Sequence, residues 1–309
     1  MTSLLTNSSA MTALQTLAQT NKNLETTQGR ISTGLRVSTA SDNAAYWSIA
    51  TTMRSDNQAI STVQDALGLG AGKVDTAYTA VSDTIDRVTE LKQKVLASKN
   101  ASPEDKAKYQ SEIAVIQAHL KDTVGNASYA GSNLLQTDST DTDFPTEFSI
   151  VSSYNRDASG TVTTGSIEVT YANIRLIDSG GDGAGILDTE FTTTGEGAVA
   201  DISILTLDVT AADVDNDDLD DMLTAIETGL KSLATGAAEL GAAKKRIDLQ
   251  QGFMTKLSDA IERGVGQLVD ADMNEESARL QALQVQQQLG IQALSIANSN
   301  SQNILSLFR

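Results

Sequence analysis

Cysteine is absent from this chain of 309 residues, histidine occurs once, proline twice, and aromatic residues make up only 4%. The missing cysteines remove disulfide frameworks, thiol nucleophiles and thiolate metal sites. A single histidine, His119, rules out a two-histidine metalloprotease motif, and its predicted helix offers no obvious partner to orient it as a base. With prolines only at 103 and 145, long intervals contain nothing that forces a helix to stop. No stretch approaches the roughly 18 apolar residues of a membrane span. The start, Met1-Thr-Ser-Leu-Leu-Thr-Asn-Ser-Ser9, lacks the basic segment and apolar core of a secretory signal. By ordinary rules this is a soluble cytosolic chain unless a dedicated apparatus exports it.

Positive charge is scarce as well: 22 Lys and Arg face 40 Asp and Glu, a formal net charge of −18. The excess is concentrated. Residues 138–221 hold 19 acids against Arg156 and Arg175, a net of −17, which leaves −1 for the remainder. With no basic stripe to release counterions from phosphates, nucleic acid is excluded as a partner. An acidic, solvated outer face fits better.

The two ends form a complementary pair. The first 21 residues carry no charge, and residues 280–309 carry only Arg309. Each end has apolar residues at helical spacing: Leu4, Met11, Leu14, Leu17, Leu24 and Ile31 at the start, and Leu283, Leu289, Leu294, Ile296, Ile304 and Leu307 at the finish. Their remaining faces are Ser, Thr, Asn and Gln rather than Lys and Glu. That composition suits a crowded place with little solvent, such as the core of a polymer, and these twelve residues are the expected polymerisation seam.

Heptads occupy the rest of the helical sequence. Ile60, Leu67, Val74, Val81, Val88 and Val95 recur every seven residues, predicting one helix over about 43–98 that would span about 80 Å. Gly68, Gly70 and Gly72 are its expected weak point. Ser102-Pro103-Glu104-Asp105 starts a second helix, carrying Tyr109, Ile113, Ile116 and Leu120 on one face and ending at Gly125-Asn126. Leu219, Ile226, Leu233, Leu240, Ile247, Met254, Ile261 and Leu268 hold one heptad position through eight repeats. Ile60, Leu67, Val74, Val81, Val88 and Ile226 are the expected packing residues of a helical rod. Between the helices, residues 148–151, 166–171, 174–177 and 202–209 alternate like strands, predicting a small β-rich insertion.

Candidate ligand sites are weak. Asp213 to Asp221 places carboxylates at alternate positions, but Asp218 and Thr224 stand where a calcium loop needs Gly and Glu, so an acidic helix start is the better reading. Gly180-Gly-Asp-Gly-Ala-Gly185 reads as a turn. No catalytic, cofactor or metal residue is assigned.

Two segments resemble one family. Gln28-Gly-Arg-Ile-Ser-Thr-Gly-Leu-Arg-Val-Ser-Thr-Ala-Ser-Asp-Asn-Ala-Ala-Tyr-Trp-Ser-Ile-Ala50 is similar to the N-terminal signature of bacterial flagellins, in the wording of rhizobium-type alphaproteobacteria. Asp272-Met-Asn-Glu-Glu-Ser-Ala-Arg-Leu280, Gln284-Val-Gln-Gln-Gln288 and Asn303-Ile-Leu-Ser-Leu-Phe-Arg309 match the C-terminal pattern. The resemblance implies a mainly α chain: an antiparallel helical bundle built from both ends, with a small β-rich outer insertion. It implies a non-enzymatic subunit that polymerises with itself into the extracellular flagellar filament. Implied partners are the flagellar export apparatus and chaperone, cap and junction proteins, and host immune receptors. Asp86-Arg87-Val-Thr-Glu-Leu91, with Glu112, resembles a receptor-contact motif of the family, although Thr89 departs from it. The expected organisation is a polymerisation helix and loop (1–42), an N-terminal rod (43–136), a variable acidic domain (137–212), a C-terminal rod (213–270) and a C-terminal polymerisation helix (271–309). A hook–filament junction protein is the rival within the same machinery, and a secreted calcium-binding or adhesive module is the rival from another class.

Overall fold

The structure, a computed structural model, describes residues 7–157, 159–195, 199–211 and 214–306, the last seven of these by backbone alone. Leu4 and Leu307 therefore lie outside the described residues, as does the side chain of Ile304. The described helices are α1 (Ser8–Thr33), α2 (Ala44–Ser98), α3 (Pro103–Asn126), the single turn α4 (Tyr171–Ile174), α5 (Asn216–Val269) and α6 (Met273–Ser306). The strands are β1 (Ser128–Tyr129), β2 (Ser132–Asn133), β3 (Gln136–Thr137), β4 (Glu147–Arg156), β5 (Val162–Thr170) and β6 (Ile177–Asp178). The chain divides into two compact units, Met1–Gln58 with Ser258–Arg309, and Ala59–Leu257. It is mainly α, with a small β insertion.

In the unit Ala59–Leu257, two helices each bury one heptad stripe. Along α2 the stripe is Ile60, Val63, Leu67, Gly70, Val74, Ala77, Val81, Thr84, Val88, Leu91, Val95 and Ser98, all buried and alternating by three and four. Along α5 they are Leu219, Met222, Ile226, Gly229, Leu233, Gly236, Leu240, Ala243, Ile247 and Met254. Polar pairs fix an antiparallel register: Gln64 to Thr255, Lys244 to Asp75, Lys92 to Glu227 and Lys99 to Asp220. Each step forward along α2 from one pair to the next is matched by a comparable step back along α5. These ion pairs are exposed and contribute little individually, so the stripes carry the stability while the charges set the register.

Ser102 caps α3 by accepting from the Asp105 amide, with Pro103 in the first turn. Its buried side chains are Ile113, Ile116, Gln117, Leu120 and Val124. Gln117 explains why residues 202–209, expected as a strand, form none. Its Nε2 donates to the carbonyls of Ile204 and Leu207, while Gln110 donates to Leu207 O and accepts from the Val209 amide. Helix-borne amides satisfy this backbone in place of a neighbouring strand. Only an isolated bridge, Phe191 with Ile202, remains.

The β structure consists of two-stranded pieces: the β4–β5 antiparallel hairpin, bulged between Val151 and Ser153, the β1–β2 turn, and the parallel β3–β6 pair. Glycines let these pieces approach the helices. A Cβ on Gly70 would sit 2.6 Å from Ile150, on Gly72 2.6 Å from the Tyr129 ring, and on Gly236 2.6 Å from the Asn173 carbonyl. Two of the three glycines read as a bending point are thus sites of close approach, and α2 runs through them as uninterrupted helix. Glu239 seals the insertion to α5 by accepting from the Thr170 amide and Asn173 Nδ2.

The loop after β6 is organised by Asp178. Burial would raise its carboxyl, but hydrogen bonds from the Ser139 hydroxyl and from the Ser139, Gly180 and Ala184 amides outweigh it and hold the group at about 2, below the ordinary 3.8. A carboxyl depressed on folding adds stability above its unfolded value and loses it as pH falls through the folded one. Asp178→Asn should therefore cost about 2 kcal/mol near neutrality, the difference from wild type closing between about pH 4 and pH 2 in urea titrations. Among the glycines, Gly68→Ala adds a Cβ that meets nothing and should stabilise by about 1 kcal/mol. Gly236→Ala should destabilise by about 1–3 kcal/mol, because a backbone carbonyl must yield. Thermal unfolding of the two variants reads both signs.

Candidate assembly surface

In the unit made from the two chain ends, α1 and α6 pair antiparallel along a stripe with three–four spacing. On α1 the covered positions are Asn7, Ala10, Ala13, Leu17, Thr20, Leu24, Thr27 and Ile31; on α6 they are Glu276, Leu280, Leu283, Gln287, Gly290, Leu294 and Ala297. Small and polar residues alternate with the leucines, so the backbones come close. A Cβ on Gly290 would lie 3.2 Å from Leu17 Cδ1. Asn7 caps α1 through the Ala10 amide and donates 3.0 Å to Ala297 O, and Gln287 donates 2.8 Å to Asn21.

Glu276 closes the other end of this seam. It is 5% exposed, and its Oε1 takes Arg30 at 3.1 Å and Arg279 at 3.3 Å. Its Oε2 is buried with no partner among the described residues. The first turn of α6, whose free amides favour a negative group, holds this carboxylate, while Asp272 accepts from the Asn274 and Glu275 amides.

Of the twelve seam residues expected from sequence, Leu17, Leu24, Ile31, Leu283 and Leu294 line the contact between α1 and α6. Met11, Leu14, Leu289 and Ile296 point outward at 65%, 59%, 58% and 62% exposure, joined by Val285 and Ile291, which the helical spacing did not single out. A shallow recess bounded by Ser8, Met11, Thr12, Leu14, Gln15 and Ala18 lies on this outer face of α1. The rod residues Ile60, Leu67, Val74, Val81, Val88 and Ile226 are all at 2% exposure or less.

The segment 34–50 has a definite task. Gly34 takes φ of 73°, which ends α1 in a left-handed cap. Leu35 bridges Asp270, the Arg36 and Val37 amides both reach Val269 O, and the Arg36 guanidinium holds Leu268 O at 3.1 Å. Val37, Ala50, Val265 and Val269 form a small core with Leu35, Met53, Ile261 and Leu268 around it. The Asp42 carboxyl, lowered chiefly by the Thr39 and Ser38 amides, knots the loop, and Asn43 accepts from the Tyr46 amide at the head of α2.

Both ends of the chain match known family patterns. The description "bacterial flagellin N-terminal helical region" matches residues 4–140, and "bacterial flagellin C-terminal helical region" matches residues 223–308. A flagellin of Brucella melitensis is 53% identical, and flagellin C and flagellin A of Rhizobium meliloti are 48% and 42% identical, each over the whole of both chains. The chain belongs to the bacterial flagellin family. A crystal structure of Bacillus cereus flagellin also matches, at 17% identity and a TM-score of 0.39, over 62% of this chain and 88% of that one. A flagellin is a structural subunit, not an enzyme, and is exported to build the extracellular flagellar filament.

Within a flagellin, the remaining candidate residues have structural roles. His119 is half-exposed, 3.2 Å from the Thr123 hydroxyl. Asp215 and Asp218 are engaged at the head of α5: Asp215 accepts from the Asp217 and Asp218 amides, and buried Asp218 accepts from the Gly195 and Asp215 amides. Asp213 falls outside the described residues. In the receptor-like motif, Arg87 pairs with Asp83 and Glu90, Leu91 is fully buried, and Glu112 pairs with Lys94.

Arg30→Met would leave the buried Glu276 with a single cation. A loss of about 2 kcal/mol is expected, read as weaker hydrogen-exchange protection across α1 and α6, and Glu276→Gln in the same chain should recover part of it.

Proposed function

We propose that this flagellin assembles through the outward faces of α1 and α6, with Met11, Leu14, Leu289 and Ile296 becoming buried against other copies. The observation that supports it is that four large apolar side chains stay more than half exposed on the stretches of these helices, residues 8–21 and 280–306, that carry no charge. Half-exposed leucines and methionines of this kind gain about 1 kcal/mol each on full burial, and the gain repeats at every subunit added. The seam inside one chain alternates its leucines with Ala, Thr, Gln and Gly, so it buries less apolar area than an unbroken aliphatic row would. Pairing α1 with α6 is then weak alone and firm within a polymer.

The same reading brings the partners of a filament subunit: the export apparatus and its chaperone, and the cap and junction proteins at the filament ends. Host immune receptors are a further proposed partner at Arg87 and Glu112. Engagement there requires those side chains to leave their present ion pairs, which makes recognition weak.

Seeded growth on short filament fragments, followed by negative-stain microscopy, tests the reading. Full-length chain should elongate the seeds, while chain lacking residues 1–35 and 280–309 should not. Leu289→Asp should also stop growth, because it sets an unpaired charge in a buried contact, yet should leave the monomer's unfolding unchanged. Normal filaments from Leu289→Asp would remove that face from the interface.

A further inference from the structure

The unit Ala59–Leu257 carries an unpartnered face on α5. Lys245, Leu249, Phe253 and Lys256 follow one another by four, four and three residues, so they share one side of the helix. Leu249 is 64% and Phe253 56% exposed, the lysines are exposed at either end, and Gly252 beside them faces open space. Neither lysine has an ion-pair partner among the described residues.

The same unit has a groove of about 740 Å³ between α2 and α3. Its floor includes Ala80 and Ala127, its walls are threonines, and Asp75, Asp83 and Asp122 supply negative charge at its edges. Asp75 is shared with Lys244, and Asp83 faces Arg87 at 3.7 Å and His119 at 3.8 Å. Asp122 forms no ion pair among the described residues.

We propose that the Lys245–Lys256 face of one copy docks in the α2–α3 groove of a second copy. This rests on the filament reading and adds a lateral contact between rods to it. Charge is complementary: two lysines flanking two bulky apolar side chains meet carboxylates around alanines and threonines. Spacing agrees, since the lysines stand about 16 Å apart along α5 and Asp75 and Asp83 about 12 Å apart along α2, a difference that lysine side chains span. A chain cannot fill its own groove. The register of Gln64 with Thr255 and Asp75 with Lys244 sets the face level with residues 63–74 of α2, about 15 Å along the rod from the groove. The contact therefore joins two different surfaces, head to tail, with a stagger of about 15 Å, and such a contact propagates without closing.

The absence of cysteine permits a clean test. Phe253→Cys and Thr79→Cys chains, mixed and grown from seeds, should give a disulfide-linked dimer under mild oxidation, whereas either variant alone should not. Lys245→Glu with Lys256→Glu should raise the monomer concentration at which growth stops by roughly tenfold, with monomer unfolding unchanged, and adding Asp122→Lys should restore part of it. Wild-type growth with no mixed cross-link, or reversed-charge chains that grow like wild type, would overturn the docking while leaving the filament reading intact. Failure of wild-type chain to elongate seeds would instead remove the filament reading and this contact with it.

Discussion

The antiparallel stripe shared by α2 and α5 within Ala59–Leu257 is the constraint on which the rest of that unit depends. Its spacing fixes which faces remain for α3 and for the insertion, and its small residues fix how near they come. A continuous row of large aliphatics would have made a stiffer seam, but it would have held off Ile150, Tyr129 and Asn173, each of which occupies the space a side chain would need at Gly70, Gly72 or Gly236. The helix loses about 1 kcal/mol of intrinsic propensity at each such glycine and regains it through packing of the insertion. Thr84, fully buried with an unpartnered hydroxyl, is the one buried side chain of α2 whose polar atom stays unsatisfied among the described residues, and the surrounding leucines and valines tolerate it.

The pair formed by the chain ends obeys the same spacing with a different alphabet. Where the rod uses Val, Leu and Ile, α1 and α6 use Ala, Thr, Gln and Gly between their leucines and close the seam with a buried carboxylate under two guanidiniums. Removing such charges from water offsets much of their attraction, so Arg30 and Glu276 specify register more than they add stability. Met11, Leu14, Leu289 and Ile296 lie on the outward faces. The contacts that specify the pairing inside one chain and the exposed apolar side chains are thereby on opposite faces of the same two helices.

The heptads were legible in the sequence because aliphatic residues at seven-residue intervals seldom recur except on the buried stripe of a long helix, and the long helices stand where the spacing put them. The orientation of the ends was not legible in the same way. Leu14 and Leu17 are equally apolar, and only the small residues Ala10, Ala13 and Thr20, which a hydrophobic pattern ignores, say that Leu17 faces α6. Residues 202–209 misled for a related reason. Alternation of Ile, Leu and Val reports burial on a regular backbone, whereas here burial comes with turns whose amides and carbonyls are met by Gln110 and Gln117, more than eighty residues away. The flagellin-like signature is readable as a resemblance, but its physical content, a left-handed glycine, an arginine on a carbonyl and a capped helix start, arises only where residues 34–50 meet residues 265–270 in the fold.

The acidity of the insertion follows from how its loops are built. Asp138, Asp141, Asp157, Asp178, Asp208 and Asp215 each accept from the amide two residues on, at 2.8 to 3.1 Å, and several take a nearby hydroxyl as well. This arrangement turns the backbone sharply without a sheet partner, and it needs a short carboxylate or amide side chain at every corner. An insertion with only two-stranded pieces has many corners, so it accumulates aspartate for conformational reasons. The charge is the by-product. Carried on solvated loops, it places self-repulsion where solvent and salt screen it.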